Sequence, residues 1–194
     1  MSEIVAFESV TIDGVTQAPA RPDEDARDGF RHGGWAVPYS DESMGRAAAA
    51  SMATAGAIML GRRTYEDFFR VWPARKGDPY SRILDESRKY VASSTLREPL
   101  PWVNSVLLAG DVFGAVDALR REPGRDIVIL GSGELVRSLM GHGLVDRFVL
   151  LIHPLVLGSG RRLFGQVEML ARLRLTAAPA TDRGVVVATY ALER

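Results

Sequence analysis

Three short stretches of this 194-residue sequence carry residues that suit phosphate groups. In "MLGRRTYE" an apolar run ends at Gly61, Arg62, Arg63 and Thr64, and a helical pattern follows. In "VASSTLR" a second run ends at Ser93 and Ser94, with Thr95 and Arg97 beyond them. In "ILGSGEL" a third run passes through Leu130, Gly131, Ser132, Gly133 and Glu134 into another helical pattern. Free N–H groups and the positive end of the dipole at a helix start attract anions. Glycine lets the backbone approach closely. Two such helix starts, with two arginines and a cluster of hydroxyls, can hold a pyrophosphate and a further phosphate monoester.

Each stretch alone is weak, because a strand–glycine–helix turn is more often only a turn. Better-known phosphate motifs fit poorly. The sequence has no Gly-Lys-Ser/Thr, so it is no P-loop. "GSGELV" has the first half of a dinucleotide fingerprint, but Val136 stands where the third small residue belongs, and the segment lies late in the chain.

The elements that must position these turns are legible in outline. Ile4 to Thr11 reads as a first strand running into a turn at Asp13-Gly14. Residues 18–40 form the longest irregular segment, the kind that serves as a lid or binding loop. A helix is expected from Ser40 or Asp41 through the alanine-rich stretch, then a strand at 57–60. A second helix is expected with Thr64 as its N-cap and Tyr65, Phe68, Phe69 and Trp72 as a core-facing stripe. Strands are expected at 89–94, 104–110 and 126–131, helices at 112–122 and 133–143, and a long strand at 146–158. The tail reads as two strands around a turn at 182–184. Strands alternating with helices imply a largely parallel sheet covered on both faces, with an antiparallel pair at its end.

Composition narrows the class. Apolar residues make up 46% and charged residues 25%, an ordinary globular balance. The net charge is zero, which argues against a nucleic-acid partner. With no cysteine there is no disulfide, thiolate metal site or cysteine nucleophile. No His/Asp/Glu cluster has metal-ligand spacing. No secretory leader or membrane-length apolar run is visible, so a cytoplasmic single domain without membrane contact is expected.

Together these segments resemble the dihydrofolate reductase-like superfamily. The resemblance is strongest to the reductase domain of the bifunctional riboflavin-biosynthesis deaminase-reductase and its stand-alone relatives. It is carried in order by "SVTIDGV", "IMLGRRTYEDF", "VASS" and "ILGSGELVRSLMGHGLVDRFVLLIHPLVLGSGRRLF". It implies a three-layer α/β sandwich, NADPH as cofactor, a small pyrimidine- or pterin-like substrate and a homodimer. Arg62, Arg63 and Thr64 would meet the adenosine-side phosphates. Ser93 and Ser94 would meet the ribose phosphate end. Leu130, Gly131, Ser132, Gly133 and Glu134 would line the pyrophosphate and nicotinamide side, and Gly61 opens the first turn. In this family the paired glycines of the later turn are joined by a cis peptide, which here would be Gly131–Ser132.

Substrate-side residues are less marked. Asp13 and Gly14 would border the nicotinamide, and Gly158 would lie in a loop near the substrate or the dimer contact. Trp35 and Tyr39 could stack on a flat heterocycle or pin the irregular loop. A folate reductase holds its pterin with a carboxylate on the first helix. Ungapped alignment puts Met44-Gly45 there, and Asp41 could serve only if the helix is shifted. Asp13 and Asp41 are thus the catalytic candidates, while Arg31, His32 or Arg161 could meet a substrate phosphate. His153 reads as a packed core histidine, and His142 suits a helix end. The missing carboxylate keeps a second reading open, a non-catalytic nucleotide- or flavin-binding protein on the same fold.

Overall fold

The computed structural model describes residues 1–165 and 170–193. Its elements run β1 (Ile4–Thr11), α1 (Glu42–Ala53), β2 (Ala55–Gly61), α2 (Arg62–Val71), α3 (Pro79–Glu86), β3 (Arg88–Ala92) and β4 (Ser105–Leu108). They continue with α4 (Val112–Arg121), β5 (Asp126–Leu130), α5 (Gly133–Gly141), β6 (Arg147–His153), β7 (Arg172–Ala177) and β8 (Val186–Glu193). The strands form one sheet in the order β4-β3-β2-β5-β1-β6-β8-β7. Pairing is parallel from β4 to β6 and antiparallel for β6–β8–β7.

The central strands are apolar runs because both of their faces are covered. On β1, Ile4, Ala6 and Val10 pack with Val116 of α4 and with Val136 and Leu139 of α5. Val5 and Phe7 point the other way, towards Tyr65 of α2, Leu84 of α3 and Trp102. The aromatic stripe of α2 is core as expected: Tyr65 is buried, and Phe68, Phe69 and Trp72 pack around it.

The order places the ends of β3, β2, β5 and β1 side by side. The Ser93, Gly61 and Gly131 turns therefore open onto one edge of the sheet, although they lie far apart in sequence. Chain reversal at each turn is local. Gly131 adopts φ +53°, a left-handed conformation that side chains rarely tolerate. The Gly131–Ser132 bond is not cis; among the described residues the only cis bond precedes Pro99. The positive φ of Gly131 makes the bend instead.

Three further expectations are corrected. The strand expected at 146–158 ends at His153, because Pro154 cannot donate to the ladder. Thr64 is not an N-cap, since α2 already begins at Arg62 with Gly61 in the capping position. Helix α3 was not anticipated, yet its start is orthodox: Asp78 accepts hydrogen bonds from the N–H groups of Tyr80 and Ser81, and Pro79 occupies the first turn. Residues 18–40 form an irregular strap over α2, held by Arg21–Asp67 at 2.5 Å and Arg70–Asp23 at 3.2 Å.

Replacing Asp78 by Ala removes the cap of α3 and is expected to cost about 1 kcal/mol. Urea unfolding reads this as a lower midpoint with an unchanged slope.

Candidate functional site

A cleft of about 950 Å³ runs across the carboxyl ends of β3, β2, β5 and β1. Its lining includes Gly61, Arg62, Arg63, Thr64, Ser93, Ser94, Leu130, Gly131, Ser132, Gly133 and Glu134. All the residues read from sequence as cofactor contacts therefore meet in one place. The wall also includes Phe7, Glu8 and Ser9 of β1, part of the strap, side chains of α2, and Arg137 and Arg161. Ligands of open α/β sheets bind at such strand ends.

The two helices that start in this cleft differ from the others. Asp41, Asp78 and Asp111 each accept a backbone N–H at the starts of α1, α3 and α4. At the starts of α2 and α5 no side chain caps the helix. The first-turn N–H groups have no intrahelical acceptor in any helix. In the cleft these two sets are left for an anion, beside Arg62 and Arg63 and below Arg27 and Arg161.

Two hydroxyls that sequence assigned to a cofactor are used internally. Ser132 Oγ accepts the Gly61 N–H at 3.0 Å and donates to the Leu130 carbonyl at 3.0 Å. Thr64 Oγ1 donates to the Gly131 carbonyl at 2.9 Å. Both bonds tie the end of β2 to the end of β5, so the two uncapped helix starts are held at a fixed separation. Ser93 is similarly occupied, accepting the Thr95 and Leu96 N–H groups. Ser94 is exposed. What the turns offer a ligand is mainly backbone N–H and arginine. Glu134 takes three of these cations at once, pairing with Arg27 at 3.4 Å, Arg63 at 3.5 Å and Arg161.

The proposed catalytic carboxylates do not reach the cleft. Asp13 accepts the Thr11 hydroxyl at 2.6 Å and the Leu157 and Gly158 N–H groups at 3.2 and 2.9 Å. The hydroxyl, followed by those amides, lowers its carboxyl to about 2, so it is an anion at neutral pH. It joins the first turn to the loop after β6. Asp41 caps α1 through the Met44 N–H, which lowers its carboxyl, and also accepts the Arg183 N–H. Gly14 and Gly158 take positive φ in the loops that Asp13 links.

Trp35 and Tyr39 are also outside the cleft. Trp35 is 6% exposed, and its Nε1 donates to the Gln17 carbonyl at 2.7 Å. Both rings meet His153 edge-on, at centroid distances of 5.1 and 5.8 Å. They pin the strap to the end of β6. His153 is fully buried with Nε2 unpartnered, and burial pushes its proton affinity down. Arg31 and His32 do not line the cleft, while Arg161 does.

One group escaped the sequence reading. Glu8 interrupts the apolar run of the central strand β1, is 2% exposed, and lines the cleft beside Ser132. A charged residue inside "IVAFESV" was the available signal.

The family model described as RibD C-terminal domain matches residues 3–187. The uncharacterized protein YyaP of Bacillus subtilis (strain 168) is 30% identical over 138 residues, 69% of this chain and 72% of that protein. A structure of a putative riboflavin biosynthesis protein from Shewanella sp. PV-4 superposes with TM-score 0.70 at 18% identity, covering 99% of each chain. A dihydrofolate reductase from Enterococcus faecalis complexed with NADP(H) superposes with TM-score 0.60 at 12% identity, covering 99% of this chain and 97% of that one. The fold is thus the dihydrofolate reductase-like α/β fold.

Two outcomes are expected. Ser132→Ala leaves the Gly61 N–H without its acceptor and should cost about 1–3 kcal/mol by urea unfolding. His153 binds a proton less readily in the folded state than in the unfolded chain, whose histidine titrates near 6.5. Stability is therefore lost as pH falls below about 6.5. Melting from pH 7.5 to 5 should show a drop that His153→Leu reduces.

Proposed function

The chain belongs to the RibD C-terminal domain family, and on that premise we propose that it is an NADPH-dependent reductase of a small pyrimidine- or pterin-like heterocycle. The observation that carries this reading is the pair of uncapped helix starts, α2 and α5, facing one cleft between arginines. A dinucleotide has phosphates to satisfy both. The residues present fit the group: first-turn N–H groups of α5 would hold a pyrophosphate, and those of α2 with Arg62 and Arg63 a second phosphate. Ser93 and Ser94 lie at the next strand end, where they would meet the ribose phosphate. When bound, NADPH supplies hydride. The chain's part is to fix the nucleotide across the strand ends and exclude water beneath the strap.

The competing reading, a carrier that binds a nucleotide or flavin without turnover, drew its support from the lack of an acid. Asp13 and Asp41 are engaged elsewhere, but Glu8 provides a carboxyl group in the cleft wall. We therefore favour the reductase. The proposed partner is a second copy of the chain. The edge strand β7 is mostly exposed, with Leu175 on it and Leu170 just before it exposed as well, and such an edge favours association.

Saturating NADPH is expected to raise the melting temperature, since a ligand at 100 times its Kd adds about 2.7 kcal/mol to the folded state. Arg63→Ala should weaken NADPH about tenfold, with a smaller salt dependence. No shift with NADPH or NADH would overturn the reading. Binding without NADPH oxidation across pterins, pyrimidines and quinones would favour the carrier. Sedimentation at micromolar concentration should give twice the 21.2 kDa chain mass.

A further inference from the structure

Glu8 lies on a strand at the middle of the sheet, where the neighbouring strands are apolar. It follows Ile4 and Ala6 on the face of β1 that packs towards α4 and α5. Its register partner on β6 is Leu150, and β5 on the other side brings Leu130, both apolar. The Ser132 N–H favours its charged form, and Oε1 has no hydrogen-bond partner. The charged groups that face it are few. Arg137 on α5 favours ionisation, and Glu24 on the strap opposes it. Glu24 is itself held by the Ala20 and Arg21 N–H groups. An unpaired carboxylate is costly to bury, so such a group keeps its proton. Burial raises the Glu8 carboxyl from 4.5 to about 8. A neutral acid whose one unused oxygen is shielded from solvent thus lines the cleft beside the α5 start.

We propose that Glu8 is the proton donor of the reduction, and that it gives up its proton more readily with the oxidised than with the reduced nucleotide in the cleft. The proposal rests on the NADPH reading given above. In the balanced step the Glu8 O–H bond breaks and a new bond forms from that proton to the nitrogen or oxygen of the substrate double bond. The carbon of the same double bond receives the hydride from NADPH. The Glu8 carboxylate left behind would be favoured by the positive charge of the oxidised nucleotide and is reprotonated from solvent once that nucleotide leaves. A carbonyl or imine acceptor suits this donor, because a neutral acid gives its hydrogen bond to a neutral lone pair.

The link between ring charge and Glu8 is testable without knowing the substrate. Dissociation constants of NADP⁺ and NADPH are measured from pH 6 to 9, and their ratio is taken so that titration of the shared phosphates cancels. The reduced ring is neutral and should leave Glu8 protonated below pH 8. The oxidised ring favours the carboxylate, so NADP⁺ should expel the proton. Relative to NADPH, its affinity should then rise with pH, by up to about tenfold per unit for one linked proton, and level off above pH 8. Glu8→Gln keeps the shape and should abolish the slope while NADPH affinity stays within about threefold.

A second readout needs no ligand. The folded state holds the Glu8 proton more tightly than the unfolded chain. That stability is present below pH 4.5 and lost as pH rises through about 8, so wild type should lose melting temperature against Glu8→Gln over this range. A ratio that is flat with pH in wild type, with both nucleotides bound, overturns the proposal and leaves the cofactor reading standing. Failure of either nucleotide to bind overturns the cofactor reading, and the proposal with it. If Glu8→Gln does not fold, the wild-type ratio still decides.

Discussion

The site depends on one hydroxyl between two strand ends. Ser132 Oγ takes the Gly61 N–H and gives its own proton to the Leu130 carbonyl, each at 3.0 Å. Thr64 adds a second tie to Gly131. The bonds to Gly61 and from Thr64 join turns separated by about seventy residues in sequence. They make two helix starts into one receptor. Without them each turn would offer only a loose set of N–H groups, and loose donors lose much of their worth to an anion that must order them. The serine thus acts through the backbone it positions, which explains why a polar side chain sits 6% exposed at the centre of the cleft wall.

Charge is distributed along the cleft with a clear division. At the lip, Glu134 gathers Arg27, Arg63 and Arg161, and the strap reaches across to α2 through Arg21, Asp67, Asp23 and Arg70. These groups are partly exposed, so each pair contributes little to stability and can exchange partners readily. An incoming phosphate competes with Glu134 for cations already gathered nearby. At Glu8, burial from water outweighs the Ser132 N–H and Arg137, and the carboxyl group stays neutral. The same residue type therefore serves as a counter-ion at the rim and as a proton store at the floor, with solvent access deciding which.

Much of this was readable from residues alone. β1 was bounded at Ile4 and Thr11, and the three glycine and serine turns were identified because apolar runs, small residues and helical periodicity are local signals. That the turns share a cleft followed from alternation of strands and helices, together with a family resemblance. What was not readable depends on contacts between distant segments. Asp13 and Asp41 have the right chemistry for catalysis, but their oxygens are filled by amides from 157–158 and from 183. Trp35 and Tyr39 have the right rings for stacking, yet His153 occupies them. Helix α3 is hard to read although Asp78-Pro79 announces it, because its eight residues span little more than two turns. Glu8 was passed over because a strand pattern absorbs one polar residue without losing its shape.

Amide NMR shift mapping with NADPH tests the central claim most directly, since it reports the backbone groups on which the receptor is built. The account predicts the largest changes at the first turns of α2 and α5, namely Arg62, Arg63, Gly133 and Glu134, with smaller ones at Ser93 and Ser94. Changes confined to the capped starts of α3 and α4, or spread without preference over the surface, would contradict it.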